Sequence, residues 1–270
     1  MTTPTWDPEQ YLRHAGYRAR PFADLLARVP ALPGARPRIA DLGCGPGNVT
    51  ATLAGRWPTA HITGYDNSPE MLDRAHTEHE GPTAGGGRLD FAHADARDWT
   101  PEESYDLIVS NATLQWVPGH LDRFADWIAA LAPGGTFAFQ VPDNIDAPLH
   151  ALMRELAATP RWKDRLAGVL RRTGSVYDPA VYLDRLARLG CAPDVWRTTY
   201  LHVLAGEDPV LDWVKGTGLR PALTALADDP EARDAFLTEY RDLLRGAYPS
   251  APYGTVLPFG RLFAVAVKGD

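Results

Sequence analysis

The 270-residue chain is poor in cysteine, with only Cys44 and Cys191. Two thiols cannot build a disulfide framework, so a reducing compartment is expected. Lysine is scarcer still for a basic residue, at 163, 215 and 268 only, and no run of five Lys/Arg occurs. With a formal charge of −7 and a pI near 5.6, this argues against nucleic acid as a partner. No stretch of 18 apolar residues is present, and MTTPTWDPEQYL lacks a basic-then-apolar leader pattern. Neither a helical membrane span nor a membrane partner is therefore expected, and the expected setting is cytoplasmic. His61, His76, His79 and His93 make no H-E-x-x-H or other closely spaced ligand set, so no metal is expected. G-x-S-x-G and G-K-[ST] are both missing, which removes the nucleophile elbow and the ATP/GTP P-loop.

What is there is a rhythm. A helical pattern over 8–29, with Leu12, Phe22, Leu25 and Leu26 as its apolar side, precedes a regular alternation of strands and helices. Strands are expected at 37–42, 61–66, 89–94, 105–110 and 135–141, and helices at 48–57, 69–79 and 121–131. That order predicts an α/β fold with a largely parallel sheet covered on both faces. Between them, EGPTAGGGR at 80–88 reads as a mobile, polar surface loop. After Pro142 the rhythm breaks. Helical stretches at 146–174 and 207–247, the latter broken at Pro221 and Pro230, flank a helix at 179–189 and a strand at 193–203. A last strand is expected at 261–267. We read 1–270 as a single domain, in which 1–30, 146–176 and 205–250 are helical cap segments over the carboxyl edge of the sheet.

The sharpest motif is RIADLGCGPGNVT, 38–50, where a strand ends in Asp41 and glycines follow at 43, 45 and 47. Glycine lets a backbone turn tightly and approach a ligand where a Cβ would collide. The spacing is not dinucleotide-binding: a G-x-G-x-x-G begun at Gly43 meets Asn48 where it needs glycine, and one begun at Gly45 meets Thr50. An acid before the first glycine repels a pyrophosphate and attracts a cationic amino-acid group. Cys44, inside the turn, reads as a small residue that fits. Asp66, 23 residues beyond Gly43 and followed by Asn67, suits either two ribose hydroxyls or a helix cap. Asp95 with the backbone of Ala96 suits an adenine edge. Asn111, Gln115 and Trp116 follow the fourth strand, where parallel-sheet ligands bind. Trp116 suits either a cationic ligand group or the core.

For a second ligand the cap side offers Arg197, Arg220 and Arg261, with Tyr17, Arg20, Tyr200, His202 and Trp213 as lesser candidates. An arginine in apolar sequence holds either a ligand carboxylate or phosphate, or an internal ion-pair partner. Several of them together favour a small anionic substrate.

The glycine turn and its acid resemble motif I of the class I S-adenosylmethionine-dependent methyltransferases. More specifically, WDPEQYL, RPFADLLARVP, ADLGCGPGNVT, ITGYDNSPEML, NATLQWVPGH, VPDN, the VWRTTY run, DWVKGTGLRP and PFGRLF resemble the trans-aconitate methyltransferase family over nearly the whole chain. The resemblance implies a Rossmann-like, mostly parallel seven-stranded sheet with helical cap insertions. It implies S-adenosylmethionine as cofactor, held by Asp41, Gly43, Cys44, Gly45, Gly47, Asn48, Asp66, Asn67, Asp95, Ala96, Asn111, Gln115 and Trp116. The implied reaction is carboxyl O-methylation of trans-aconitate to a monomethyl ester, with S-adenosylhomocysteine as coproduct and no required acid/base residue. The alternatives are another small di- or tricarboxylate, a natural-product acid, or a cofactor-binding regulator that does not catalyse. Nucleic-acid amine methylation is disfavoured, because NATLQ stands where [ND]-P-P-[YF] would be needed. A monomer is the expected state.

Overall fold

The computed structural model describes residues 15–166, 168–170, 176–216 and 218–269, with the backbone alone for 15–18. Trp6, Tyr11 and the RRTG run at 171–174 lie outside the described residues, and so does the side chain of Tyr17. The chain divides into two compact units.

The first unit takes in 15–142, 174–198 and 261–270. Its elements are α1 (Ala15–Ala27), β1 (Arg38–Leu42), α2 (Ala51–Arg56), β2 (His61–Asp66), α3 (Pro69–His79), β3 (Gly81–Pro82), β4 (Arg88–His93), β5 (Tyr105–Asn111), α4 (His120–Ala129) and β6 (Leu131–Pro142). The second unit takes in 143–173 and 199–260. It holds α5 (Pro148–Ala157) and α6 (Lys163–Leu166). Then α7 (Pro179–Arg188) belongs to the first unit, and β7 (Cys191–Leu204) runs from the first into the second. In the second unit follow α8 (Pro209–Lys215), α9 (Arg220–Ala225), α10 (Pro230–Ala247) and β8 (Ser250–Ala251), and β9 (Gly254–Lys268) runs back into the first.

Seven long strands and two two-residue strands make one sheet of order β3-β4-β2-β1-β5-β6-β9-β7, with β8 paired to β9. Strands β4, β2, β1, β5 and β6 are parallel, and β9 runs antiparallel to β6. This is the mostly parallel, Rossmann-like sheet of the sequence reading. Four of the five residues of β1 are buried, as a central strand covered on both faces requires. By contrast, β7 ends the sheet and alternates: Tyr200, His202 and Leu204 are buried while Leu201 and Val203 are exposed.

Three expectations change. The glycine-rich 80–88 segment is a built hairpin and not a mobile loop: Gly81 pairs with Leu89 and Pro82 with Arg88. Gly85 and Gly87 pack against a neighbouring backbone, and a Cβ on Gly87 would lie 2.2 Å from the Ala60 carbonyl. The helical stretch at 146–174 splits into α5 and α6, because Thr159-Pro160 interrupts the backbone ladder between them. The last strand starts at Gly254, seven residues earlier than expected, because the Ala251-to-Gly254 turn folds β8 back onto it.

Phe124 is fully buried at the centre of the first unit's aromatic core, with ring centroids 4.9 Å from Phe137, 5.5 Å from Phe139 and 5.9 Å from Trp127. In the second unit Phe236, Tyr240 and Leu244 put one face of α10 into a separate core with Trp162 and Trp213. There the Tyr240 hydroxyl donates to the Leu149 carbonyl, and the Tyr248 hydroxyl accepts from the Leu149 amide. Phe124→Ala should cost about 3–5 kcal/mol, since a ring-sized cavity between facing aromatics cannot collapse. Urea unfolding would register this as a lower midpoint at unchanged slope.

Candidate functional site

Strand β1 delivers Asp41 to the turn and buries it, at 1% exposure. Its Oδ2 accepts from the Thr50 hydroxyl at 2.7 Å, while Oδ1 is buried without a hydrogen-bond partner. Burial pushes this carboxyl up to about 7, against the opposing pull of the Thr50 hydrogen bond; the Asp66 charge adds a smaller upward push. With its hydroxyl committed to Asp41, Thr50 does not cap the following helix, and α2 begins at Ala51 rather than at the expected 48. Gly43, Gly45 and Gly47 all have positive φ, at 79°, 57° and 80°. At Gly43 space is lacking too: a Cβ would lie 2.0 Å from the Thr113 hydroxyl. At Gly45 a Cβ would meet nothing within 4 Å, so the turn has an open side. Asn48 Oδ1 is buried without a hydrogen-bond partner as well. The buried Cys44 thiol is pushed well up, first by burial and then by the Asp41 and Asp66 charges, so it is no nucleophile.

The turn is fastened to β2. The Tyr65 carbonyl accepts from the Gly43 and Cys44 amides at 2.7 and 3.0 Å. Asp66 accepts from the Gly45 and Ser68 amides, both at 2.9 Å, and burial raises its carboxyl. It thus joins the glycine turn to Ser68, which is itself the N-cap of α3, and each oxygen keeps a further lone pair for a ligand hydroxyl. Asn67 donates to Asp95 at 2.8 Å, which brings two expected site residues together beside the half-buried Ala96. Hydrogen bonds from Arg97 hold the Asp95 carboxyl well below the usual range.

Past β5, Ala112 is the one non-glycine among the described residues with positive φ, at 55°. Its amide donates to the Gln140 carbonyl at 2.9 Å. Gln115 is buried; its amide donates to the Ala112 carbonyl, and its Oε1 has no hydrogen-bond partner. Trp116 is 40% exposed, which excludes the core reading. Gln140, fully buried on β6, donates from Nε2 to Asn111 Oδ1 and accepts from Arg261 Nη1 at 2.9 Å. Neither Gln140 nor Thr113 was anticipated. A glutamine inside the apolar run FAFQV was the available signal, because a buried amide needs partners.

The remaining substrate candidates separate. Arg197 is exposed and 3.8 Å from Asp178, an ion pair of the kind the sequence left as the alternative. Arg20 is exposed, 3.9 Å from Asp24. In the second unit His202 stacks on Trp213 at 5.1 Å and on Tyr200 at 6.2 Å, with all three buried. Arg220 is half-buried at the first position of α9 and pairs with no carboxylate among the described residues. No group of three metal-capable side chains occurs among them.

The geometry therefore fits an amino-acid-bearing nucleoside. The motif acid keeps a buried unsatisfied oxygen, and the glycine turn has one open side.

Comparison with known proteins agrees. Residues 39–135 match the model of a methyltransferase domain. The chain is 68% identical over 269 residues to the trans-aconitate 2-methyltransferase of Streptomyces coelicolor, covering 100% of this chain and 88% of that protein. It is 70% identical to that of Streptomyces avermitilis, covering 98% and 97%, and 47% identical to that of Rhodococcus jostii, covering 97% and 98%. Among solved structures, the YcgJ protein of Bacillus subtilis superposes with TM-score 0.56 at 14% identity, covering 93% of this chain and 99% of that one. Phosphoethanolamine N-methyltransferase 2 of Haemonchus contortus, in complex with S-adenosyl-L-methionine, gives 0.52 at 18% identity, covering 93% and 53%. These two likenesses speak for the fold.

Asp41 yields a pH prediction. An ammonium placed at its free oxygen favours the ionised carboxylate, so binding of S-adenosylmethionine below pH 7 must release a proton. Affinity should fall roughly tenfold between pH 7.5 and 6, the range in which a carboxyl of pKa about 7 loses its charge. Calorimetric titrations in buffers of different ionisation enthalpy would count that proton. A pH-independent affinity would separate Asp41 from the cofactor's amino group, and Asp41→Asn should abolish the dependence.

Proposed function

This chain belongs to the trans-aconitate 2-methyltransferase family, and we propose that it carries out that family's reaction, S-adenosylmethionine-dependent carboxyl methylation of trans-aconitate. The observation that carries this is identity of 68–70% along almost the entire chain, well beyond the shared methyltransferase domain at 39–135. When bound, the cofactor would supply an electrophilic sulfonium methyl; a carboxylate oxygen bonds to that carbon in line as the S–CH3 bond breaks, giving the monomethyl ester and S-adenosylhomocysteine.

The chain's own residues hold and orient. Asp41 receives the cofactor's ammonium; Gly43, Gly45 and Gly47 give its backbone close approach; Asp66 takes the ribose hydroxyls; Asp95 and the Ala96 backbone take the adenine edge. Cys44, Asn48 and Asn67 would complete that wall, and Gln115 and Trp116 would hold the cofactor from the segment after β5. No general base is needed, because a carboxylate of ordinary pKa is ionised and nucleophilic at neutral pH. Catalysis rests on holding one oxygen in line with the methyl group. A guanidinium on the reacting carboxylate would lower its nucleophilicity, so the cationic clamps belong on the other two. Arg220, without a carboxylate partner among the described residues, and Arg261, whose buried Nη1 meets a neutral amide, are the leading clamps. Tyr200, His202 and Trp213 form an apolar wall, and Tyr17, Arg20 and Arg197 are secondary. No helix among the described residues is long and apolar enough to cross a membrane, and we place the protein in the cytoplasm as a monomer.

Purified protein incubated with S-adenosylmethionine and trans-aconitate, cis-aconitate, citrate or isocitrate should form a monomethyl ester fastest from trans-aconitate, followed by mass detection. Cofactor binding with no turnover of any of these acids would redirect the search to other carboxylates. Arg220→Ala should lower kcat/KM for trans-aconitate about 10–100-fold, the worth of one charge-assisted hydrogen bond. Cofactor affinity should stay within about threefold of wild type on that argument. An unchanged kcat/KM would take Arg220 out of the pocket.

A further inference from the structure

Arg261, Gln140 and Asn111 stand at the carboxyl ends of β5 and β6 and beside them on β9, where Asn111 is in register with Gln140 and Pro142 with Arg261. Their hydrogen-bond polarity is forced. A guanidinium has donors only, so the Gln140 carbonyl must face Arg261, as it does at 2.9 Å. The Gln140 amide nitrogen then faces Asn111, whose carbonyl accepts it. What is left is the Asn111 Nδ2 amide, which donates to no described residue. Gln140 is fully buried and Arg261 is 4% exposed, so water cannot scramble the arrangement. The strained Ala112 backbone, tied to the Gln140 carbonyl, fixes the stem of Asn111.

We propose that Gln140 is a positioning residue, which locks the Asn111 side chain so that its N–H groups, and not its carbonyl, meet the carboxylate being methylated. This rests on the carboxyl-methylation reading above, and it moves Asn111 from the cofactor-holding residues that the resemblance implied to the substrate side. The arrangement separates two demands. Arg261 contributes its charge to the region, while the reacting oxygen receives a neutral amide donor that orients it without the loss of nucleophilicity a guanidinium would cause. With the amide reversed, a carbonyl oxygen would face a carboxylate oxygen and repel it.

Gln140→Glu keeps the shape and strengthens the contact to Arg261, but an ionised carboxylate cannot donate. Asn111 must then turn its N–H groups to Glu and present its carbonyl to the substrate. The expected result is a loss of kcat/KM for trans-aconitate of about 10–100-fold, with cofactor affinity within about threefold. Because Gln140 acts through Asn111, adding Q140E to an Asn111→Ala background should cost no more than about a further twofold. Additive losses, or a Q140E enzyme within about twofold of wild type, would overturn the proposal. A second measurement needs no altered Gln140: the side-chain amide resonance of Asn111, assigned by its disappearance in N111A, should shift when trans-aconitate joins the S-adenosylhomocysteine complex. An unmoved resonance would also overturn it. A wild-type enzyme that does not turn over trans-aconitate would bring down the carboxyl-methylation reading first, whereas an active wild type with an unaffected Q140E brings down this proposal alone.

Discussion

A carboxylate buried at the end of the central strand is the constraint on which the site depends. Asp41 lies on β1, between β2 and β5, at the point where the strand order reverses and an open α/β sheet forms its crevice. One hydrogen bond from Thr50 offsets only part of the desolvation, and the carboxyl rises to about 7. A stability-optimised strand would have an apolar residue here. On the role proposed above, the cofactor's ammonium completes the acid, and the turn around it leaves one side open while fastening the other. Tyr65 and Asp66 on β2 do the fastening through the Gly43, Cys44 and Gly45 amides, and the glycines leave the opening.

Much of this was legible in the sequence because the residue types have few other uses. Three glycines at alternate positions after a strand acid announce positive φ, and all three have it. The strand expected at 193–203 is β7, with Tyr200 and His202 buried on one face and Leu201 exposed on the other. What stayed hidden depends on contacts distant in sequence. The 80–88 hairpin looks like a loop because glycine and proline have low strand propensity, yet only glycine fits where Gly87 presses on the Ala60 carbonyl. Arg197 and Arg261 are indistinguishable as letters; one is exposed beside Asp178 and the other buried against Gln140. Thr113 was overlooked because its role is steric, filling the space that Gly43 leaves.

Charge placement divides the arginines by task. Arg74–Glu78 and Arg188–Asp184 are exposed i,i+4 pairs, and Arg245 is tied to Asp208 in the same exposed manner. Pairs of this kind add little to stability and keep an arginine-rich chain from presenting unpaired cations at its surface. Arg220 departs from that pattern, at a helix start where the dipole disfavours a cation. That no described carboxylate neutralises this position supports the proposed role of Arg220 toward a ligand anion.

Methylation of a carboxylate reverses the usual priorities of an active site. The nucleophile is already charged, so activation is not the difficulty; a tricarboxylate offers three nucleophiles, and selection among them is. Cations attract all three and differentiate them only by quenching whichever they touch. A neutral donor of fixed polarity can mark one carboxylate without deactivating it, but an amide on the surface flips freely and marks nothing. Fixing its direction takes a partner that cannot itself reverse, and among side chains the guanidinium, which only donates, is the firmest such anchor. The hydrogen-bonded series from buried Arg261 and Gln140 to half-buried Asn111 carries that one-way polarity across three strands to a single amide. Inside an otherwise apolar strand, a glutamine costs stability unless its polarity is put to such use.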